Sequence, residues 1–470
     1  MNFRRKLWWA QHRTDVYKYG TILSLVLIVT ISIIYFTYSK FSSSNEMTMY
    51  ETTVEPFIKN DYFIASYIDG EWSNEIPGKN DGYVVDKIVC DNGATGTWDN
   101  DEWGINIRNA TKKIKCGVYF KKLVKLTEQI TALASTDTTN FASDDPDNNI
   151  RYIGANPNNY VYFNCSDYNS QSDATCEKWR IIGVFKNMTK EDGSKEDLVK
   201  IIRDDFLGNM SWDYKQSGVG TSTEIYGSTD WTDSQLMMML NPTDYLKSGY
   251  TIDNNIVKDS KGQAIYQNMG SYYNGTSGCE PAEIASGTDF TCTSIDFTST
   301  GLKNDSTRNL IESVVWNLGG TADFESSSNG LASHFYGYER GTTVYSGHAT
   351  NWPGKIGLMY PSDYGYATSG GSTTDRATCL AKEMFNWDDS GVSDCKSNDY
   401  LYKSSYYQWT LAPYSSDSAD VFYVHTLGLV SCGYALRTRG VRPAAFLKSN
   451  ISITDVGIGT SESPYQLKVG

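Results

Sequence analysis

Beyond residue 50, hydrophobic residues occur in short strand-like runs broken by turn residues. Tyr62–Ile68, Gly82–Cys90, Ile105–Asn109 and Lys115–Phe120 are the predicted strands of a small β domain over 50–120. Its turns fall at Asp69–Gly70, Pro77–Gly78, Asp81–Gly82 and Asn92–Gly93. The spacing then changes. Leu123, Leu126, Ile130 and Leu133 recur at helical intervals within Lys121–Ala134. The polar run Thr136–Asn149 follows, so 121–150 reads as a helical connector and linker.

Strand-like runs resume in a larger domain over 151–450. Tyr160–Asn164, Lys178–Phe185 (KWRIIGVF) and Leu198–Arg203 (LVKIIR) are predicted strands, the last two joined as a hairpin across Glu191–Asp192–Gly193. Thr232–Leu240 reads as a buried helix, with Thr232 as N-cap, Gln235 completing a capping box and Pro242 as the stop. Residues 248–305 are loop-rich. Ser306–Leu318 carries Leu310, Val314 and Leu318 on one helical face and ends at Gly319–Gly320. Lys355–Tyr360, Gln408–Ala412, Val421–Thr426 and Val441–Leu447 are further predicted strands, and Pro443 argues for an edge or irregular position. A turn-rich tail occupies 451–470.

One stretch breaks the pattern. Thr21–Tyr38 is apolar all round, without charge or proline. As a helix it is roughly 27 Å long, the thickness of a bilayer's hydrocarbon core. Arg4, Arg5, Lys6, Arg13 and Lys18 precede it, against Asp15 alone. The positive-inside rule then keeps a basic segment, 1–20, in the cytoplasm, makes 21–39 a membrane anchor, and exports the remainder. A cleaved signal peptide is the rival reading, opposed by the length of the run and the poor cleavage site at Ser39–Lys40–Phe41–Ser42.

The net charge of −14 over 470 residues argues against nucleic acid as a partner. All nine cysteines lie beyond the anchor, and eight fall into neighbouring couples: Cys90 and Cys116, Cys165 and Cys176, Cys279 and Cys292, Cys379 and Cys395. In an exported chain these read as disulfides, with connectivity left open and Cys432 over. No C-x-x-C or Cys/His cluster points to a metal, and no cofactor motif is present. Asp144, Asp145 and Asp147 lack the glycine and terminal glutamate of an EF-hand loop and read as a solvated linker.

The series YIGANPNNYVYFN, WRIIGVF, VKIIRDDFLGN, WTDSQLMMMLN, IESVVWNLGG, YERGTTVYSG, GKIGLMYPSDYGYA, WTLAP and VRPAAFL resembles a family of uncharacterised surface proteins of Gram-positive gut-type bacteria. The tail GIGTSESPYQL looks like that family's tail, and 82–120 resembles a small domain that often precedes the large one. More distantly, WRIIGVF, LMMMLN and WTLAP…VRPAAFL look like a domain similar to C-type-lectin-like folds, the formylglycine-generating enzyme group among them. The resemblance implies an α+β domain whose first and last strands meet, and no established activity. Formylglycine-type chemistry needs a reactive cysteine pair near the C-terminus, where this chain has Cys432 alone in SCGYALRTRG.

Catalytic motifs are absent. There is no G-x-S-x-G and no H-E-x-x-H, and only His334, His348 and His425 lie beyond the anchor. Tyr338–Gly341 and Arg437–Gly440 set charges beside glycine turns, as a ligand rim or as structural ion pairs. The expectation is a membrane-anchored extracellular binding or interaction protein of α+β class, its ligand a glycan or surface protein. An extracellular enzyme acting on carbohydrate or peptide and a structural spacer are the alternatives.

Overall fold

The computed structural model describes residues 62–79, 81–110, 113–213, 227–241, 305–454 and 456–468, with short strand fragments between 251 and 293 and the helical residues 24, 26 and 30. The chain divides into two units, Met1–Lys122 and Leu123–Gly470. Both are strand-rich with few helices, a mixed α+β protein carrying disulfides. Thr21–Tyr38 lies almost wholly outside the described residues. Among those described, no helix is long and apolar enough to cross a membrane.

In the smaller unit, four strands form one sheet in the order Glu71–Ser73, Tyr62–Ile68, Ile114–Lys122, Tyr83–Cys90. The turn at Asp69–Gly70 closes the first pair, both residues having positive φ. One face of the sheet buries Ile114, Cys116, Val118 and Phe120. Beside them Thr95–Asp99 and Gly104–Arg108 form a hairpin whose Trp98 packs edge-on to Phe120 and to Trp103 at 5.3 Å each. Cys90 stands opposite Cys116 and is bonded to it.

The larger unit is built on the hairpin of Glu177–Thr189 and Lys195–Arg203. Its run of Trp, Ile, Val and Phe suits a strand buried on both faces, and both strands are buried over most of their length. Gly183 marks a register shift where Ile150 of the neighbouring strand approaches so closely that no Cβ fits. The sheet runs Ile356–Gly357, Ala444–Leu447, Lys195–Arg203, Glu177–Thr189, Ile150–Tyr152, Phe141–Ala142, with Tyr160–Phe163 also on the long strand. A second sheet runs Asn209–Ser211, Thr438–Gly440, Gln408–Pro413, Asp420–Val424, Val430–Tyr434. The unit's first and last strands, Val124–Lys125 and Leu467–Lys468, flank Ser452–Ile453 in a three-stranded sheet and do not pair with each other. Trp179, Trp212, Trp231, Trp316, Trp387 and Trp409 are all fully buried, so this unit's tryptophans are mostly core.

Several expectations need correcting. The connector and linker are part of the larger unit: helix Leu126–Ala134 buries Leu126 and Ile130, and Asp145 and Asn149 are buried within the supposed linker. The tail likewise joins the core through Tyr465 and Leu467. Ser306–Leu318 is not one helix. Asp305–Leu310 is helical, and Val314–Asn317 is a strand paired with Asn351–Gly354. Val314 and Leu318 fit a helical face, but Val314 and Trp316 also alternate, and pairing decided for the strand.

At 231–240 a 3₁₀ turn, Trp231–Asp233, precedes helix Gln235–Leu240, and the cap is Ser234, which accepts from the Met237 amide at 3.1 Å. In place of an extended Lys355–Tyr360 there is a short strand, Ile356–Gly357, followed by the buried helix Pro361–Ala367 with proline in its first turn. Pro443 sits just before Ala444–Leu447, a strand paired on both sides, so the missing amide costs no ladder bond.

Candidate functional site

Strand alternation places a row of side chains on the smaller unit's second sheet face. Trp72 stands opposite Tyr67, Tyr67 opposite Tyr119, and Tyr119 opposite Lys87. The three rings contact one another at centroid distances of 5.1–5.4 Å, and Lys87 Nζ lies 4.6 Å over the Tyr119 ring. Gly117 lies beneath the row. A Cβ there would meet Trp72 Cη2 at 2.7 Å, so glycine lets the indole lie across the sheet. The face is open: Trp72 is 56% exposed, Phe63 54% and Val89 54%. It forms a groove of about 510 Å³ running from Phe63 and Ala65 past Trp72 to Val89, with Lys115 and Asp91 among its lining residues. Burial preference normally hides such residues, and an apolar patch edged by charge marks an interaction surface.

The disulfide couples fall as follows. Cys90–Cys116, Cys165–Cys176 and Cys379–Cys395 are bonded. Cys279 stands opposite Cys292 in a two-stranded ladder, and the side chains of both lie outside the described residues. Cys432 is a free, half-buried thiol 4.0 Å from Asp420; burial and that carboxylate push it up to about 12, which keeps it protonated near neutral pH.

The histidines serve local structure. His334 Nδ1 accepts from the Leu331 amide, His348 pairs with Thr229 at 2.9 Å, and His425 Nδ1 accepts from the Leu427 amide. Among the described residues no group of three or more His, Cys, Asp or Glu is placed to hold a metal ion. The three aspartates of the supposed linker each answer a different arginine: Asp144 pairs with Arg376 at 2.8 Å, Asp145 with Arg151 at 2.6 Å, and Asp147 with Arg340 at 3.8 Å. The two glycine-turn motifs also separate. Arg340 lies over Tyr336 beside Asp147 and Glu339, whereas Arg439 stacks on Tyr423 with Trp409 and Tyr407 around it.

Within the larger unit sits a buried charge network. Asp363, 1% exposed, caps its own helix by accepting from the Tyr360 amide at 2.9 Å. It also pairs with Lys200 at 2.5 Å and Arg151 at 2.9 Å. Burial pushes the Asp363 carboxyl up, but the two cations and their hydrogen bonds overcome it and hold it at about 2. Neighbouring Glu339 accepts from the Ser362 amide and hydroxyl; there burial wins over Arg340 and Ser362 and raises the carboxyl to about 7. Asp363, Lys200, Arg151 and Glu339 are all buried, so the network fixes the packing of helix Pro361–Ala367 against the central hairpin.

Sequence reasoning missed the aromatic face. Its signal was present as odd-numbered parity in Phe63, Ala65, Tyr67 and Lys115, Gly117, Tyr119. Parity assigns side chains to faces, but only the fold shows which face the Trp98 hairpin covers. No family model matches this chain, and neither a curated protein nor a solved structure matches it.

Proposed function

We propose that this protein is a membrane-anchored extracellular interaction protein, held by Thr21–Tyr38, whose small domain docks a partner protein. The observation that carries the reading is the groove along exposed Phe63, Trp72 and Val89, with half-buried Tyr67 and Tyr119 packed against the indole. Trp and Tyr at the centre of a desolvating patch are the residues that dominate protein interfaces, and the charged edge of Lys87, Asp91 and Lys115 supplies register. The predominantly apolar lining favours a protein surface over a glycan, which needs converging hydrogen-bond groups. The larger unit, read as C-type-lectin-like from its sequence, has its first and last strands on either side of Ser452–Ile453 in one small sheet.

The test is a screen of purified chain from residue 50 onward against cell-surface proteins and glycans, with and without calcium. A protein ligand is expected, its affinity falling at least tenfold with Trp72→Ala, as for a central aromatic anchor. A glycan ligand, an empty screen, or binding indifferent to Trp72→Ala would reject the reading.

A further inference from the structure

In the larger unit, loops 204–208 and 401–407 meet at two points. Lys403 Nζ lies 3.2 Å from Asp204 Oδ1, and the Phe206 and Tyr406 rings pack edge to face at 4.9 Å. Beneath them lies Arg442, 1% exposed. Its Nε donates to the Arg203 carbonyl at 2.8 Å, and its Nη1 donates to the Leu401 carbonyl at 3.1 Å and to Gln408 Oε1 at 3.4 Å. Its Nη2 has no hydrogen-bond partner among the described residues. Arg180, also buried, arrives from the long strand: Nη1 is 3.7 Å from Asp204 Oδ1, Nε donates to Asn159, and the guanidinium lies 3.8 Å over the Tyr160 ring.

The charges here do not balance. Arg180, Arg442 and Lys403 repel one another, and Asp204 is the carboxylate that answers Arg180 and Lys403. The nearby acid Asp399 is buried, and burial raises its carboxyl well above the usual range despite two backbone hydrogen bonds and Arg442. Even fully ionised, Asp399 and Asp204 leave one cation in excess. Asp205 on the same loop is exposed and caps the Phe206 amide, and Glu177 is taken by Arg203 at 3.2 Å. An unanswered guanidinium N–H in a dry site bears the full desolvation of a charged donor, which a charged acceptor relieves best.

We propose that the junction of these loops binds a small oxyanion, a carboxylate or a sulfate, held by Arg442, Arg180 and Lys403. Asp204 and Lys403, 23% and 29% exposed, lie at the solvent edge, and Tyr406 and Tyr407 stand exposed beside it. Planar guanidinium forks match either oxyanion. The site belongs to the other unit from the aromatic face, so each proposal stands or falls alone.

The test is calorimetric titration of the full chain with sodium sulfate and with sodium acetate, at constant ionic strength. One anion or both should give saturable one-to-one heat, weakened at least tenfold by Lys403→Glu and by Arg442→Lys, which keeps the charge and loses the fork. Circular dichroism checks folding. If Arg442→Lys does not fold, Lys403→Glu at the solvent edge carries the comparison. Absence of saturable binding for both anions, or binding unchanged in Lys403→Glu, overturns the proposal.

Discussion

Removing the charge of Asp363 while keeping its shape takes a shared carboxylate from two buried cations, Lys200 and Arg151. Lys200, 0% exposed, has Asp363 as its salt-bridge partner and is otherwise ringed by Tyr360, Trp316, Phe185 and Phe446 at 4.3–5.4 Å. Arg151 keeps Asp145. In Asp363→Asn the burden therefore falls on Lys200. Breaking one side of a buried pair costs about 3–5 kcal/mol, because a charge remains without compensation. Lys200→Met should cost much less. Asp363 retains Arg151 and the Tyr360 amide, and the aromatic ring of neighbours accepts a thioether. The double variant should then be more stable than Asp363→Asn alone.

Urea unfolding followed by circular dichroism and tryptophan fluorescence measures all four proteins, since the tryptophans report mainly on this unit. The wild type carries a pH signature as well. A carboxyl held at about 2 against an ordinary 3.8 contributes about 2 kcal/mol that is fully present above pH 4 and lost as pH falls through 2. Asp363→Asn should abolish that part of the acid limb. An Asp363→Asn variant within about 1 kcal/mol of wild type, or a double variant no more stable than the single, would show that Lys200 carries no uncompensated charge.

Glu339 works in the opposite direction. Its carboxyl is raised from an ordinary 4.5 to about 7, so its contribution is fully present below pH 4.5 and about 3 kcal/mol of it is lost as pH climbs through 7; Glu339→Gln should flatten the stability curve across that window. Non-reducing peptide mapping should recover Cys90–Cys116, Cys165–Cys176 and Cys379–Cys395, while Cys432 alkylates far more slowly than an exposed thiol at pH 8. Opening Cys90–Cys116, which closes a span of 26 residues, should destabilise the small domain by about 3.5 kcal/mol on loop entropy, read by melting with and without Cys90→Ser/Cys116→Ser. Gly117→Val should push the Trp72 indole off the sheet, seen as a shift in small-domain tryptophan emission, with the covered face and its disulfide intact.

Local information was enough for much of this protein. The short apolar runs KWRIIGVF and LVKIIR, with a glycine turn between, read as a hairpin, and one formed. Cysteines 11, 16 and 26 residues apart suggested neighbouring couples while many pairings stayed open, and those three couples are joined. Leu126–Ala134 was legible because one face repeats at the helical period. The α+β class follows from such segments.

What the chain alone left undecided depends on contacts across long separations. Val314–Asn317 satisfies both periods, and its pairing with Asn351–Gly354 decided between them. Asp145 looked like a solvated acid because its answer, Arg151, and Arg151's second partner, Asp363, have no sequence signature for meeting. The excess cation at Arg442 arises only when Arg180, Lys403 and Asp204 are brought together by three separate elements. The row of exposed Trp72 and half-buried Tyr67 and Tyr119 is the same kind of result: alternation assigned the rings to one face, and among the described residues the fold leaves the Trp72 end of that face open. Burial is a property of the assembled molecule, and it sets which charges must be paired and which rings are left for a partner.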